Sequence, residues 1–270
     1  MILEHYKEFN GIKIFNENIN EDHQDYNAKG LDNIFAQEEK HFWFIARKEF
    51  IYIQMLKFIS KVSKIIEIGA GTGNVSRYLK YNGYKNICAG EMHLNGLEYA
   101  INYGIENCYQ FDLLRAPFEN EFDTVCLFDV LEHIEDDTVA LENIWRMLTI
   151  EGSLILTVPA HKWLWNRDDA IAKHKRRYTK NELIKKLENN GFDILVSRYF
   201  FIIIVPLLFL RRIFNRDDGR DMTMAEYDKE IVMDPISNAV LLLLSRIENR
   251  LNAFLPNFFG GSLFIIARKK

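Results

Sequence analysis

Lys64-Ile65-Ile66-Glu67-Ile68-Gly69-Ala70-Gly71-Thr72-Gly73-Asn74 is the stretch that decides how this chain of 270 residues is read. Ile65, Ile66 and Ile68 form a short apolar run and predict a buried strand. Three alternate glycines predict the turn that follows, and Val75 to Leu79 predicts the helix after it. Glycine accepts positive φ and lets a ligand approach the backbone, and the first turn of a helix offers unpaired N–H groups. Strand, glycine loop and helix in this order open a nucleotide-binding α/β domain. Outward from it the two element types alternate. Strands are expected at 87–90, 107–111, 124–128, 153–158, 192–199 and 262–267, with helices at 94–103, 136–148 and 181–189. The alternation predicts a mostly parallel sheet covered by helices on both faces.

The spacing narrows the ligand. A dinucleotide fingerprint needs a third glycine where Asn74 stands, and Glu67 at the strand end would repel a pyrophosphate. A carboxylate there attracts a cation instead, and S-adenosylmethionine (SAM) carries a sulfonium and an ammonium group. The pattern Glu67-x-Gly69-x-Gly71-x-Gly73 resembles the first motif of the class I SAM-dependent methyltransferases. A glycine turn that binds nothing and a dehydrogenase are the alternatives, the latter disfavoured by Asn74 and Glu67.

Ligands of such sheets lie beyond the carboxyl ends of the strands, so the residues there are the candidates. Glu91 ends the second strand and suits the ribose hydroxyls. Asp112 ends the third and suits the adenine amino group. Phe128, Asp129 and Val130 end the fourth and would pack on adenine or frame the methionine part. Met92 and Leu113 complete this donor set. Phe122-Asp123-Thr124-Val125 followed by Asp129-Val130-Leu131-Glu132-His133, with Gly152 to Pro159, is similar to the small-molecule methyltransferases called type 11. The resemblance covers most of residues 64–160. It implies a Rossmann-like, seven-stranded sheet whose last strand is antiparallel, with SAM as donor and S-adenosylhomocysteine as product. Glu91 stands where aspartate is commoner in the family, and both it and Met92 remain compatible with SAM.

Two flanking stretches resemble one bacterial branch of that family. His41-Phe42-Trp43-Phe44 with Arg47 is similar to its H-W-W-F-x-x-R segment, and Arg47 is a candidate for the SAM carboxylate. Trp163-Leu164-Trp165 through Asp169, with His174-Lys175-Arg176-Arg177-Tyr178, is similar to its W-S-x-x-D-x-x-x-x-H-x-R-R-Y segment. The branch implies a small or lipid-linked acceptor, often of cell-surface glycan pathways. Chemistry points the same way, because 159–178 leaves the fifth strand at the ligand end. Methyl transfer is an in-line displacement, in which alignment contributes about 7–11 kcal/mol. His174 and His161 are candidate bases with Asp169 beside them. Arg176 and Arg177 are candidate anion clamps. Trp163, Trp165 and Tyr178 are candidate substrate contacts. The plainer reading of this stretch is a solvated basic loop, and His133 reads as a residue that orients its own loop. No metal site is expected.

Composition sets the remaining bounds. Apolar residues make up 48%, charged residues 27%, and the net charge is −4. A negative chain without an N-P-P-Y-like element argues against a nucleic-acid methyltransferase. Cys88, Cys108 and Cys126 form no metal or disulfide pattern, and the N-terminus has no signal-peptide character, so a cytoplasmic location is expected. Residues 1–60 read as a loose arm (1–30) and a helical cap with apolar spacing at Phe50, Ile53, Leu56 and Ile59. Residues 61–270 read as the methyltransferase domain, with an insertion at about 202–260. Tyr199 to Leu210 is apolar and followed by Arg211 and Arg212, and Val240 to Leu244 is a second greasy run. They read either as core or as an apolar face for a lipid-like acceptor or the inner membrane surface. The expected activity is O- or N-methylation of a small or lipid-linked, anionic acceptor. A SAM-binding regulator without methyl transfer is the alternative.

Overall fold

Ile65 faces one side of the sheet, and Ile66 and Ile68 face the other. Cys126 sits on the first side, Val125 and Leu127 on the second. This period-two alternation of apolar residues on both faces is what a doubly covered parallel sheet requires. The structure, a computed structural model, describes residues 1–2, 5–16, 29–214 and 233–270. The stretch 215–230, read above as part of the insertion, lies outside the described residues.

The strands are β1 (Lys7–Phe9), β2 (Ile12–Ile14), β3 (Lys64–Ile68), β4 (Asn86–Glu91), β5 (Asn107–Gln110), β6 (Phe122–Phe128), β7 (Leu148–Pro159), β8 (Phe192–Phe200) and β9 (Ser262–Lys269). The helices are α1 (Lys29–Gln37), α2 (Phe42–Met55), α3 (Asn74–Tyr81), α4 (Leu94–Asn102), α5 (Asp137–Met147), α6 (Arg167–Ile171), α7 (Lys180–Asn189), α8 (Val205–Phe214) and α9 (Pro235–Leu251). The described strands form one sheet in the order β1-β2-β5-β4-β3-β6-β7-β9-β8. β9 is antiparallel to both β7 and β8. The order reverses beside β3, which places the glycine loop at the switch point where such sheets bind ligands.

Among the described residues the sheet has nine strands, not seven. The extra pair comes from the N-terminal arm, which is not loose where described. β1 and β2 form a hairpin, and β2 runs parallel to β5. Asn10 and Gly11 at its tip have φ 49° and 80°, the turn geometry for which an Asn-Gly pair is a strong signal. Ile12 is fully buried, so the hairpin extends the core across the edge that β5 would otherwise expose.

The helical cap forms, and of its expected apolar positions Phe50 and Ile59 are buried and Ile53 half-buried. α2 buries Phe42, Ala46, Phe50, Ile51 and Met55, while Leu56, just past its end, is exposed. The insertion packs on this cap. Asn238 Oδ1 accepts from Phe42 N at 2.8 Å, Asn249 Nδ2 donates to Ala46 O at 2.8 Å, and Arg246 pairs with Glu49 at 2.6 Å. Glu248 accepts from Ile202 N and Ile203 N, each at 2.9 Å, which fixes the start of the insertion. Two regions some 200 residues apart thus form one roof over the strand ends. The apolar run 199–210 divides: Tyr199, Phe200, Phe201, Ile204 and Val205 are core, whereas Leu207, Phe209 and Leu210 are exposed on α8.

Candidate active site

A cavity of about 940 Å³ opens beyond the carboxyl ends of β3, β4 and β6, below that roof. Its donor half is built by the glycine loop. Gly69, Gly71 and Gly73 have φ 62°, 54° and 80°, a region L side chains enter only at a cost. Gly69 and Gly71 line the cavity, and a Cβ on Gly69 would stand 2.5 Å from Val130 Cγ2. Gly73 does not line it. It caps α3, and a Cβ there would meet Ala100 Cβ at 2.8 Å, so this glycine serves the approach of α3 to α4.

Glu91 ends β4, as expected, and is held by the backbone. Gly71 N donates to its Oε2 at 2.8 Å, and Met92 N and His93 N donate to its Oε1 at 2.7 and 3.2 Å. A carboxylate has about four acceptor sites, so about one remains for a ligand hydroxyl. Asp112 Oδ1 caps a short 3₁₀ turn through Leu114 N at 2.9 Å, and Asn16 Oδ1 accepts from Asp112 N at 2.9 Å. Met92, Asp112 and Leu113 all line the wall. The N-terminal hairpin thereby buttresses the end expected to hold adenine.

Glu67 is buried and accepts from Ser76 Oγ at 2.5 Å. Burial pushes its carboxyl up to about 7, against the pull of that hydrogen bond and of the Arg47 charge. Arg47 lines the same wall. Its guanidinium is paired with Asp129, reaches Phe128 O at 3.4 Å and lies 4.3 Å from the Trp43 ring centroid. Asp129 has φ 58°, a strained conformation for a non-glycine residue, and the Arg47 pair helps to hold it. Glu38 was not singled out by the sequence. It is buried in the cavity wall and accepts from Thr72 Oγ1 and, at 3.0 Å, from Tyr103 Oη. No motif marks it, because a glutamate in the charged stretch Glu38-Glu39-Lys40 reads as a solvated charge.

The facing half of the cavity, where the acceptor is expected, is built by the segment after β7. Asp169 Oδ1 lies 2.8 Å from His174 Nδ1 and accepts from Arg177 Nε at 2.8 Å. Burial raises the Asp169 carboxyl, but the His174 hydrogen bond and the Arg177 charge outweigh it and hold it below its usual range. All three residues line the cavity. Arg177 also donates to Ala160 O at 3.2 Å, so it braces this loop and its guanidinium is largely committed. Glu132, on the 3₁₀ turn Leu131–His133, lines the cavity as well, and burial pushes its carboxyl well up.

Several expected acceptor residues lie elsewhere. His161 stacks on Tyr199 with centroids 5.0 Å apart, and burial followed by the Arg177 charge lowers its pKa. Trp163 is exposed and packs edge-on to Phe209, and Trp165 closes a 3₁₀ turn. Arg176 pairs with Asp137 at 3.0 Å, and Tyr178 Oη donates to the same carboxylate at 2.8 Å. None of these five side chains lines the cavity. The pattern of tryptophans and cations lies in a segment that reaches the cavity, but part of it faces α5, α8 and β8 instead.

Residues 24–197, more than half of the chain, match the protein family described as a methyltransferase domain. The chain belongs to this family. It is a SAM-dependent methyltransferase, with SAM as its cofactor. No curated protein matches it. Solved structures show the fold. A SAM-dependent methyltransferase from Thermotoga maritima is 17% identical, covers 90% of this chain and 100% of its own, and gives a TM-score of 0.56. A SAM-dependent methyltransferase from Mesorhizobium loti is 15% identical, covers 86% and 100%, and gives 0.54. The cyclase SpnF is 17% identical, covers 84% and 82%, and gives 0.56.

In this methyltransferase the residues lining the donor half fit SAM. A backbone-held carboxylate at the β4 end suits ribose, an acidic cap at the β5 end suits adenine, and Glu38 and Glu67 face the side where a cationic methionine part would lie.

Proposed function

We propose that the enzyme methylates an oxygen or nitrogen of a small acceptor with an apolar or lipid-linked part, by in-line transfer from SAM. The observation that carries this reading is the lining of the cavity. Its floor is polar, while Phe201, Ile204, Leu207, Leu208, Leu210 and Phe214 supply an apolar wall from the insertion. A hydrocarbon part of the acceptor would lie against α8 and leave its polar head at His174 and Glu132. An anion clamp is less well supported, because Arg176 and Arg177 are already paired with Asp137 and Asp169.

The roof also suits a bilayer surface. Ile236, Val240, Leu243, Ile247 and Leu251 are exposed along one face of α9, at the spacing of an amphipathic helix. Among the described residues no helix is long and apolar enough to cross a membrane. An interfacial helix that delivers a lipid-linked acceptor to the cavity fits these features. The test is incubation with labelled SAM and a lipid extract, with and without liposomes. Label appearing in an organic-phase product, with S-adenosylhomocysteine released, supports the proposal. Label only in a water-soluble product, with no liposome flotation, contradicts it.

A further inference from the structure

The acceptor wall contains a carboxylate that the reading above leaves without a task. Glu132 is 0% exposed, and neither of its carboxylate oxygens has a hydrogen-bond partner. Its neighbours of like charge are each matched, Asp129 by Arg47 and Asp169 by Arg177. The Glu132 carboxyl group therefore has neither a hydrogen-bond partner nor a matched cation of its own in the cavity wall. Buried carboxylates are as a rule paired or bound to a metal.

The surrounding groups complete a set of donor atoms around that carboxyl. His174 Nε2 stands 3.8 Å from Glu132 Oε1. Two ligands each about 2.0–2.2 Å from one ion are at most about 4.4 Å apart, so this is a separation that two ligands of one ion can have. The other ring nitrogen of His174 meets Asp169 Oδ1 at 2.8 Å. That contact places the proton on Nδ1 and turns the Nε2 lone pair towards Glu132, the carboxylate–histidine arrangement that orients metal-ligating imidazoles. The His133 ring lies edge-on to the His174 ring, with centroids 4.7 Å apart. Donor atoms of Glu132, His133 and His174 lie within 4.8 Å of one another. The backbone ties the two segments together, because Lys175 N donates to Glu132 O at 2.9 Å.

We propose that Glu132, His133 and His174 bind one divalent transition-metal ion of the zinc class on the acceptor side of the cavity, with an open position towards the acceptor. Two imidazoles and a carboxylate favour such ions over magnesium or calcium, which prefer all-oxygen sites. Three protein ligands with a fourth position open is the arrangement of catalytic rather than structural zinc. The inference deepens the proposed function and rests on it for the role of the ion. The open position would take the polar head of the acceptor, while Asp169 and Arg177 position His174 and do not touch the ion.

The test uses chelator-stripped full-length protein dialysed against Zn²⁺, with bound metal counted by mass spectrometry, and a parallel Co²⁺ titration read by its visible absorption. Calorimetry with S-adenosylhomocysteine on the same samples reports the donor half separately. Wild type should bind one equivalent and give a Co²⁺ spectrum. Glu132→Gln and His174→Ala should each weaken metal binding at least ~10-fold, and Asp169→Asn by about 10–100-fold through loss of the orienting bond. S-adenosylhomocysteine affinity should hold in all three. Wild type that binds S-adenosylhomocysteine but no stoichiometric metal overturns the site and leaves the methyltransferase reading intact. Unchanged metal affinity in Glu132→Gln and His174→Ala also overturns it. Should Glu132→Gln fail to fold, His174→Ala and the wild-type Co²⁺ spectrum decide alone.

Discussion

The donor and acceptor halves of the cavity are built on different principles. The donor half is made of strand ends and the loop directly after them. Its carboxylates Glu91 and Asp112 are set by backbone N–H groups a few residues away or, for Glu91, across one strand pair, while Glu67 and Glu38 accept from side-chain hydroxyls of or near the glycine loop. The acceptor half is made of side chains that hold one another: Asp169 with His174 and Arg177, and the insertion with the helical cap. A site fixed by local backbone geometry is fixed by the fold. A site fixed by mutual side-chain contacts can change without changing the fold, which suits the half that must select an acceptor.

The sharpest way to break this contrast is Gly71→Val. Gly71 has φ 54° and lines the cavity. Valine there costs about 1–3 kcal/mol in backbone strain and intrudes on ligand space. Loss of measurable SAM binding by calorimetry is expected, and retained affinity would place the donor elsewhere.

Glu67→Gln probes what the donor half gives up in stability. A carboxyl raised from 4.5 to about 7 is neutral at low pH and is ionised at a cost above neutrality. Stability from this group is therefore full below pH ~4.5 and lost as pH rises through about 7, by roughly 3 kcal/mol. The apo variant should melt higher than wild type at pH 8 and equally at pH 4.5. A constant difference across that range would contradict the burial argument.

Glu91→Ala removes a charged acceptor and leaves three backbone N–H groups without their partner. An expected loss of about 1.5–3 kcal/mol in SAM affinity can be read by the same calorimetry. The weakest effect lies in the roof. The Glu49–Arg246 pair is bidentate but partly exposed, so a double-mutant cycle on melting should return about 0.2–1 kcal/mol. A much larger coupling would make the roof as rigid as the strand ends and erase the contrast.

The same division explains what could be read in advance. Glu67, Gly69, Gly71, Glu91 and Asp112 were legible because sequence position near a strand end fixes place in the cavity. Seven of the nine described strands were legible from alternation. The N-terminal hairpin carries a local signal in Asn10-Gly11 that a polar, acidic neighbourhood obscured. His161, Trp163, Trp165, Arg176 and Tyr178 had suitable chemistry in a suitable segment, yet facing direction in an irregular loop depends on partners such as Tyr199 and Asp137. Glu132 read as one letter of a family motif, because its lack of a partner exists only in three dimensions.

The central claim is that donor binding and acceptor handling reside in separable halves. Titration of S-adenosylhomocysteine into wild type, Gly71→Val and His174→Ala tests it most directly. The account predicts binding to wild type, none to Gly71→Val, and an affinity for His174→Ala within ~0.5 kcal/mol of wild type. A His174→Ala variant that folds normally but loses as much affinity as the glycine variant would contradict it.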